Sequence, residues 1–212
     1  MNPAIKAPVQ LRIWDSKEPS ADLSFANARR TDLDATSWVE HIPAWLARNE
    51  ELFDSLSQVA GWEQRKRWMF TKQIEEPRLT AEYRVLAEAP VALRDIGQAL
   101  SSHYGVAYDS AWLNLYRDHR DSTSWHADRP SCKRERCIVP VLSLGATRRF
   151  LIRPKEGGRS TVFIVERGDL IVMGGRCQKD WVHAVPKETR AAGTRISVNF
   201  GSSQQLIPER GH

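Results

Sequence analysis

Short apolar runs recur at regular spacing after Tyr108, and this pattern limits the possible folds more than any other feature of the chain. The runs span residues 111–117, 138–144, 150–153, 161–165, 169–173 and 194–200, with Gly, Pro or charged clusters between them. Many short strands separated by turn residues are typical of an antiparallel barrel or jelly roll. We therefore predict an α+β chain, mainly β, whose core lies in residues 108–201.

The chain before this core has helical rather than strand periodicity. Ser37 and Glu40 have the spacing of a capping box, and apolar residues then recur at helical spacing over residues 38–59, interrupted at Pro43. The pattern predicts a turn and then a helix that ends near Gly61.

A second amphipathic stripe follows Pro90 and predicts a helix that closes at Gly105. Alternation at residues 9–13 and the apolar run at 68–70 favour short strands. No linker divides the chain, so we expect one domain over residues 1–212. Its parts are an N-terminal helical support and substrate lid (1–107), the β core (108–201) and a tail (202–212).

Composition excludes a disordered chain, since 41% of the residues are hydrophobic and eight are Trp. The net charge of +5 is compatible with a polyanionic partner but does not require one. No signal-peptide core and no long apolar run is present, so we expect a cytoplasmic protein without a membrane partner. Nothing in the sequence requires an obligate protein partner. We expect free thiols rather than a zinc site from the three cysteines, Cys132, Cys137 and Cys177.

The triplet His126-Ala127-Asp128 is a candidate metal-binding motif. Side chains two apart in a strand share a face, so one imidazole and one carboxylate can point at one ion. His183 offers a second imidazole. Two His and one carboxylate form the facial triad of non-haem Fe(II) oxygenases. Taken alone, each of these residues is better explained by surface exposure, a local hydrogen bond or core packing.

Arg195 lies in the last apolar run, on the face opposite Ile196. An arginine inside a barrel is costly unless it meets an anion. A dicarboxylate that chelates the metal at one end and reaches Arg195 at the other would meet this need. Asn114 and Tyr116 share a face and are candidate donors to the same anion. The alternative is an internal ion pair with an acidic residue such as Asp169.

Six blocks together resemble the AlkB-type Fe(II)/2-oxoglutarate dioxygenases, a family with a double-stranded β-helix that oxidatively dealkylates nucleic acids. The resemblance extends from about residue 62 to residue 200. The blocks are PRLTAEY (77–83), NLYRDHRDSTSWHAD (114–128), SLGATRRFLIRP (143–154), GDLIVMGG (168–175), WVHAVPK (181–187) and RISVNF (195–200).

The resemblance implies that His126, Asp128 and His183 are catalytic residues and bind Fe(II), with 2-oxoglutarate and O2 as cosubstrates. The implied reaction hydroxylates an N-alkyl carbon and releases an aldehyde, succinate and CO2. The implied partner is alkylated DNA or RNA, and the implied process is alkylation damage repair.

The resemblance also assigns the cosubstrate pocket. Arg195 is expected to bind the distal carboxylate of 2-oxoglutarate, with Tyr116 and Asn114 beside it. Ser197 stands where the family usually has Asn, and Gly201 stands where it has a second Arg. Arg148 or Arg149 is a candidate to supply a cation in place of that Arg.

Substrate contacts are expected near the same site. Aromatic candidates for stacking on an extruded base are Tyr83, Trp68, Phe70 and Trp125. The basic candidates are Arg78, Arg129, Arg148, Arg153 and Lys155. Basic residues of this kind either contact phosphates or guard a solvated strand edge, and the sequence predicts the same residues in both cases.

Two other functions stay open from the sequence. One is a 2-oxoglutarate dioxygenase that acts on a small molecule or a protein side chain. The other is a non-catalytic, metal-containing relative that binds nucleic acid and has lost turnover through Gly201.

Overall fold

A computed structural model describes residues 18–69, 71–129 and 134–203. The predicted strand at 9–13, Phe70 and Cys132 lie outside the described residues. The helices are α1 (Glu50–Val59), α2 (Val91–Tyr104) and α3 (Cys177–Asp180), with a 3-10 turn at Leu86–Glu88. The strands are β1 (Ser20–Ala21), β2 (Arg29–Asp32), β3 (Ser37–Ile42), β4 (Leu46–Ala47), β5 (Lys66–Met69), β6 (Lys72–Glu75), β7 (Leu79–Tyr83), β8 (Ser110–Tyr116), β9 (Thr123–His126), β10 (Cys137–Gly145), β11 (Arg148–Pro154), β12 (Thr161–Val165), β13 (Leu170–Gly175), β14 (Trp181–Val185) and β15 (Arg195–Gly201).

Most of these strands form two antiparallel sheets, which confirms the prediction of a mainly β chain. The large sheet has the order β2-β3-β13-β10-β15-β8-β7, and the small sheet has the order β12-β11-β14-β9. Two short ribbons, β1-β4 and β5-β6, complete the described strands. Within the described residues no ladder joins the large sheet to the small one, so the strands do not close into a hydrogen-bonded barrel.

The large sheet is covered on both faces. Ile196, Val198 and Phe200 of β15 point into an apolar cluster with α1 and α2. The opposite face packs against the small sheet, and we call the space between the two sheets the chamber. Its apolar lining consists of Val39, Tyr116, Cys137, Val139, Val141, Phe150, Ile152, Val165, Ile171, Met173, Cys177 and Val185.

The helix predicted after Pro90 is confirmed as α2. Its stripe of Leu93, Ile96 and Leu100 is buried against the large sheet. Gly105 ends the helix with a φ of +65°, a left-handed conformation that glycine adopts without steric cost.

The interpretation of residues 38–42 as a turn leading into a helix is wrong, because β3 occupies this segment and α1 begins only at Glu50. β3 pairs with β13, and Trp38 lies opposite Gly174. A Cβ on Gly174 would overlap the indole of Trp38, so the glycine makes room for this ring. Tertiary pairing therefore outweighs the local helical pattern. The N-terminal part also supplies β2 and β7 to the large sheet, so it is more than a helical support.

Candidate active site

Two neighbouring strands of the small sheet bring the predicted metal ligands together. His126 ends β9, Asp128 follows two residues later, and His183 lies opposite His126 on β14. Asp128 Oδ1 lies 3.5 Å from His126 Nε2 and 3.6 Å from His183 Nε2. Potential ligand atoms of the three residues lie within 4.8 Å of one another, and this is the one such cluster among the described residues. Two imidazoles and one carboxylate on one side of an ion suit Fe(II) with open coordination positions.

A β-bulge turns His126 into the chamber. Thr123 pairs with Val185 and His126 pairs with His183, so β9 places one more residue in this interval than β14. Residues three apart in a regular strand face opposite sides, whereas the extra residue lets both side chains point inward. Thr123 is buried there, with its hydroxyl 2.8 Å from the Tyr116 hydroxyl.

Backbone carbonyls orient the imidazole of His126. Its Nδ1 lies 2.9 Å from the Ser124 carbonyl oxygen and 3.1 Å from that of His183. A carbonyl only accepts, so Nδ1 carries the proton and Nε2 keeps its lone pair for a metal. The ring of His183 is fixed by stacking against Phe150, with centroids 5.3 Å apart.

Gln178 holds the carboxylate of Asp128. Its Oε1 accepts from the Asp128 backbone N–H at 2.8 Å, and its Nε2 donates to Asp128 Oδ2 at 2.9 Å. Oδ1 is therefore left to face the imidazoles. Gln178 is buried on α3, five residues before His183, and sequence reasoning missed it because no strand or motif pattern includes it.

The surroundings of Asp128 and His183 favour the protonation states that bind a metal. Burial opposes ionisation of Asp128, but the imidazoles of His183 and His126 outweigh it and hold the pKa of Asp128 well below its usual range. Burial lowers the pKa of His183. Burial has the same tendency at His126, but the carboxylate of Asp128 and the backbone carbonyl of Ser124 together outweigh it and raise the pKa of His126, so this imidazole must lose its extra proton when a metal binds. An ionised carboxylate and a neutral imidazole are the forms that bind a metal.

Replacing Gln178 with Ala is expected to weaken Mn(II) affinity by roughly 10- to 100-fold, the usual cost of losing a partner of a metal ligand. The loss follows because Asp128 Oδ2 would no longer be held away from the imidazoles. Isothermal titration with Mn(II) measures the effect. Gln98→Ala, at an exposed position of α2, is the matched control. Unchanged affinity in Gln178→Ala would show that Asp128 is oriented without this amide.

Arg195 is buried beside the chamber without an acidic partner. Its Nε donates to Ser143 Oγ at 2.9 Å, while its buried Nη1 has no hydrogen-bond partner. Burial lowers the pKa of Arg195, and no acidic side chain of the described residues offsets this. Asp169, the alternative partner considered from the sequence, pairs with His41 at 2.8 Å instead. The guanidinium thus offers an N–H to an anion, and Ser143 joins the site although sequence reasoning missed it.

The other predicted pocket residues are neighbours of Arg195. Across the β8-β15 ladder, Tyr116 pairs with Arg195 and Asn114 pairs with Ser197. Asn114 Nδ2 donates to Ser197 Oγ at 3.2 Å. Arg78 reaches the same group, donating from Nε to Asn114 Oδ1 at 2.9 Å. The structure therefore brings these residues into one polar wall.

The predicted substrate residues are not all at this site. Tyr83 packs against the apolar cluster on the helix side of the large sheet, away from the chamber. Arg78 is largely buried and forms an ion pair with Glu76 at 3.0 Å. The backbone of Trp68 lies in β5, next to the undescribed Phe70.

A basic and aromatic surface lies beside the metal ligands. Arg153 is on the outer face of the small sheet, and its Cζ lies 4.2 Å from the ring centre of Trp125, the residue before His126. Arg129 and Lys155 are exposed. Arg148 differs, because it is only 1% exposed and its guanidinium donates to three backbone carbonyls inside the protein. It does not lie where a phosphate would bind.

Gly201 ends β15 opposite Ser110. A Cβ at this position would come within 2.8 Å of Ser110 Oγ, so a larger side chain would have to displace that hydroxyl. Cys137 and Cys177 are buried and form no disulfide within the described residues.

Residues 38–200 match the family model of the 2OG-Fe(II) oxygenase superfamily. The chain belongs to this superfamily. The family assignment brings with it Fe(II) as the metal, and 2-oxoglutarate and O2 as cosubstrates.

Curated relatives narrow the assignment. The chain is 34% identical over 173 residues to the human alpha-ketoglutarate-dependent dioxygenase alkB homolog 3, covering 70% of this chain and 59% of that protein. It is 29% identical over 119 residues to the DNA oxidative demethylase ALKBH2 of Arabidopsis thaliana, covering 45% and 38%. Within the superfamily the chain is of the AlkB type. It spans about three fifths of the length of the alkB homolog 3 proteins that it matches.

Solved structures agree with this assignment at the level of the fold. OsALKBH1 superposes with a TM-score of 0.56 at 13% identity, covering 82% of this chain and 100% of that one. A 2OG-Fe(II) oxygenase-family oxidoreductase from Burkholderia pseudomallei gives a TM-score of 0.53 at 17% identity, covering 82% and 89%. No helix in the described part of the chain is long and apolar enough to cross a membrane.

Proposed function

We propose that the protein is an Fe(II)/2-oxoglutarate-dependent dioxygenase that removes N-alkyl groups from bases of DNA or RNA. The observation that carries the proposal is the pairing of two sites in one chamber. A His-Asp-His cluster stands on the small sheet, and a buried arginine without an acidic partner stands on the large sheet. The names of the human and Arabidopsis relatives, a dioxygenase and a DNA oxidative demethylase, support the same reaction.

The residues fit the implied metal and cosubstrate. His126, Asp128 and His183 would hold Fe(II), since their free Nε2 and Oδ1 atoms converge. Arg195 would bind the distal carboxylate of 2-oxoglutarate through the N–H that lacks a partner. With O2, the bound metal and keto acid supply the oxidising power that hydroxylates an N-alkyl carbon, giving succinate, CO2 and an aldehyde.

The protein's own contribution is orientation and exclusion of water. Phe150 and Gln178 fix the ring of His183 and the carboxylate of Asp128. Apolar side chains such as Val139 and Ile171 keep the chamber dry, which strengthens charge interactions within it. Asn114 and Ser197 add polar groups beside Arg195, where the cosubstrate would lie.

Nucleic acid would approach over the surface that adjoins His126. The ring of Trp125 is a candidate for base stacking, and Arg153, Arg129 and Lys155 are candidates for phosphate contacts. Arg78 would act beside the chamber, through its hydrogen bond to Asn114. Tyr83, Trp68 and Phe70 remain sequence predictions for substrate contacts.

Two parts of the proposal concern the architecture and go beyond the two sheets described above. We take the large and small sheets as the two halves of a double-stranded β-helix, supported by the fold similarity to OsALKBH1. We also take residues 1–212 as one domain, with a support region at 1–107, the core at 108–201 and a tail at 202–212. The cytoplasmic location stays a prediction from the sequence.

Gly201 favours a second candidate function, a metal-containing nucleic-acid-binding protein without turnover. The position lies on the same strand and face as Arg195 but provides no cation. A dioxygenase acting on a substrate other than nucleic acid is the further alternative.

Anaerobic addition of Fe(II) and then 2-oxoglutarate is expected to produce a saturable visible charge-transfer band. In air, the same protein is expected to release formaldehyde from N-methylated oligonucleotides. Metal binding without the band would contradict the dioxygenase proposal and favour the binding protein. A band together with 2-oxoglutarate turnover, but no formaldehyde from any N-methylated DNA or RNA, would point to a different substrate.

A further inference from the structure

Two buried arginines lie near one tyrosine ring that lines the chamber. The Cζ atoms of Arg148 and Arg195 each lie 5.3 Å from the ring centre of Tyr116. Both guanidinium groups are therefore no more than about 11 Å apart. Arg148 and Arg195 are 1% and 2% exposed, so water screens their charges little.

The local negative charge does not balance these two cations. Arg195 has no acidic partner among the described residues. Arg148 shares its acidic neighbours with other arginines. Its Nε lies 3.9 Å from Glu188 Oε1, but Glu188 is closer to Arg149 at 3.0 Å. The charge of Asp121 also acts on Arg148, but Asp121 pairs with Arg117 at 2.8 Å. Each arginine also has one buried N–H without a hydrogen-bond partner. Two such cations side by side are costly unless an anion comes between or beside them.

Arg148 is held in place by backbone groups from two parts of the chain. Its Nη1 and Nη2 donate to the carbonyls of Asp118 and Asp121, at 3.2 and 2.7 Å. Nη2 also donates to the carbonyl of Pro186 at 2.6 Å. Asp118 and Asp121 precede β9, and Pro186 follows β14, so the guanidinium cannot move toward a ligand without breaking these bonds. Its effect on a bound anion is exerted from a fixed distance.

We propose that Arg148 is a positioning residue of the cosubstrate pocket, the second cation that makes the pocket selective for a dicarboxylic keto acid. This rests on the proposed function of the chamber as a 2-oxoglutarate site. Arg195 binds the distal carboxylate directly, and Arg148 adds a fixed positive field across Tyr116. Arg148, for which the sequence allowed either a phosphate contact or a cation toward the cosubstrate, thus takes the second role.

The test compares two keto acids on Mn(II)-loaded protein by isothermal titration. 2-Oxopentanoate differs from 2-oxoglutarate only in carrying a methyl group where the distal carboxylate would be. Arg148→Met is expected to weaken 2-oxoglutarate binding by roughly 10-fold, the Coulomb effect of one unit charge about 10 Å away at an effective dielectric of about 20. Binding of 2-oxopentanoate, which meets only the metal end, is expected to stay the same.

Two further variants distinguish an effect of the Arg148 charge from an effect on the fold. Arg148→Lys keeps the charge and is expected to retain most of the preference for 2-oxoglutarate. Arg149→Met is the matched control, because Arg149 faces outward next to Arg148; its 2-oxoglutarate affinity is expected to change by less than about threefold.

Each outcome decides the proposal. Equal loss of both keto acids in Arg148→Met, or a variant that binds neither because it does not fold, would assign Arg148 a purely structural role and overturn the proposal. Unchanged 2-oxoglutarate affinity in Arg148→Met would overturn it as well. Failure of the wild type to bind 2-oxoglutarate at all would instead contradict the proposed function of the chamber.

Discussion

Asp128→Ala is expected to abolish activity and to lower metal affinity by more than about 100-fold. Losing a residue that only orients a metal ligand already lowers metal affinity by about 10- to 100-fold, and losing the ligand itself is expected to cost more. Oδ1 of Asp128 is the group that both imidazoles face, so no other carboxylate of the described residues can take its place. Mn(II) titration and formaldehyde release from a methylated oligonucleotide measure the two effects.

The fold should survive this substitution. Asp128 lies beyond the end of β9 and is only partly buried, so the thermal midpoint without metal should stay close to that of the wild type. Asp54→Ala, an exposed position on α1, is the control and should leave metal binding and turnover unchanged. Wild-type turnover in Asp128→Ala would remove the His-Asp-His assignment.

Arg195→Met is expected to weaken 2-oxoglutarate binding by roughly 100-fold or more, since removing one member of a buried ion pair costs about 3–5 kcal/mol. The reason is the buried guanidinium, whose unpartnered N–H is the group offered to the distal carboxylate. The dissociation constant is read from the anaerobic charge-transfer titration. Arg195→Lys keeps the charge but loses the planar guanidinium that binds a carboxylate through two hydrogen bonds. Its affinity for 2-oxoglutarate is expected to lie between those of the wild type and Arg195→Met.

The same substitution should stabilise the protein when no cosubstrate is present. A buried charge without an acidic partner is costly, and replacing such a group by a hydrophobic side chain is often neutral or stabilising by about 1–4 kcal/mol. We therefore expect the ligand-free Arg195→Met protein to melt a few degrees higher and to gain little when 2-oxoglutarate is added. A ligand-free variant that melts well below the wild type would mean that Arg195 is needed for the fold itself.

The strands of the core were predictable because each carries its own apolar run. Residues 161–165 were predicted with the bounds of β12, and the predicted strand at 194–200 is offset by one residue from β15. β9 and β14 were not predicted from the pattern, since their sequences TSWH and WVHAV include the polar residues of the site. Site residues hide a strand only where they replace its apolar residues: β15 keeps Ile196, Val198 and Phe200 beside Arg195, whereas β9 has one apolar residue in four.

Side-chain placement within the site was predictable only in part. Alternation along the last strand correctly put Arg195 and Ser197 on one face and Ile196 on the other. No local pattern indicates that Arg148 is buried, because its hydrogen-bond partners are the backbone carbonyls of residues 118, 121 and 186. Such a contact depends on how distant segments meet and has no local pattern.

Because of the bulge in β9, the directions of the Thr123 and His126 side chains depend on how many residues separate them rather than on which residues these are. Ser124 is exposed and supplies a backbone carbonyl to His126, a contact that other side chains at this position would preserve. Removing one residue between Thr123 and His126 would turn one of these two side chains out of the chamber. Either Tyr116 would lose its hydroxyl partner or the metal would lose a ligand. A one-residue deletion here therefore removes either a metal ligand or a hydrogen bond of the chamber wall, although the deleted residue does no chemistry.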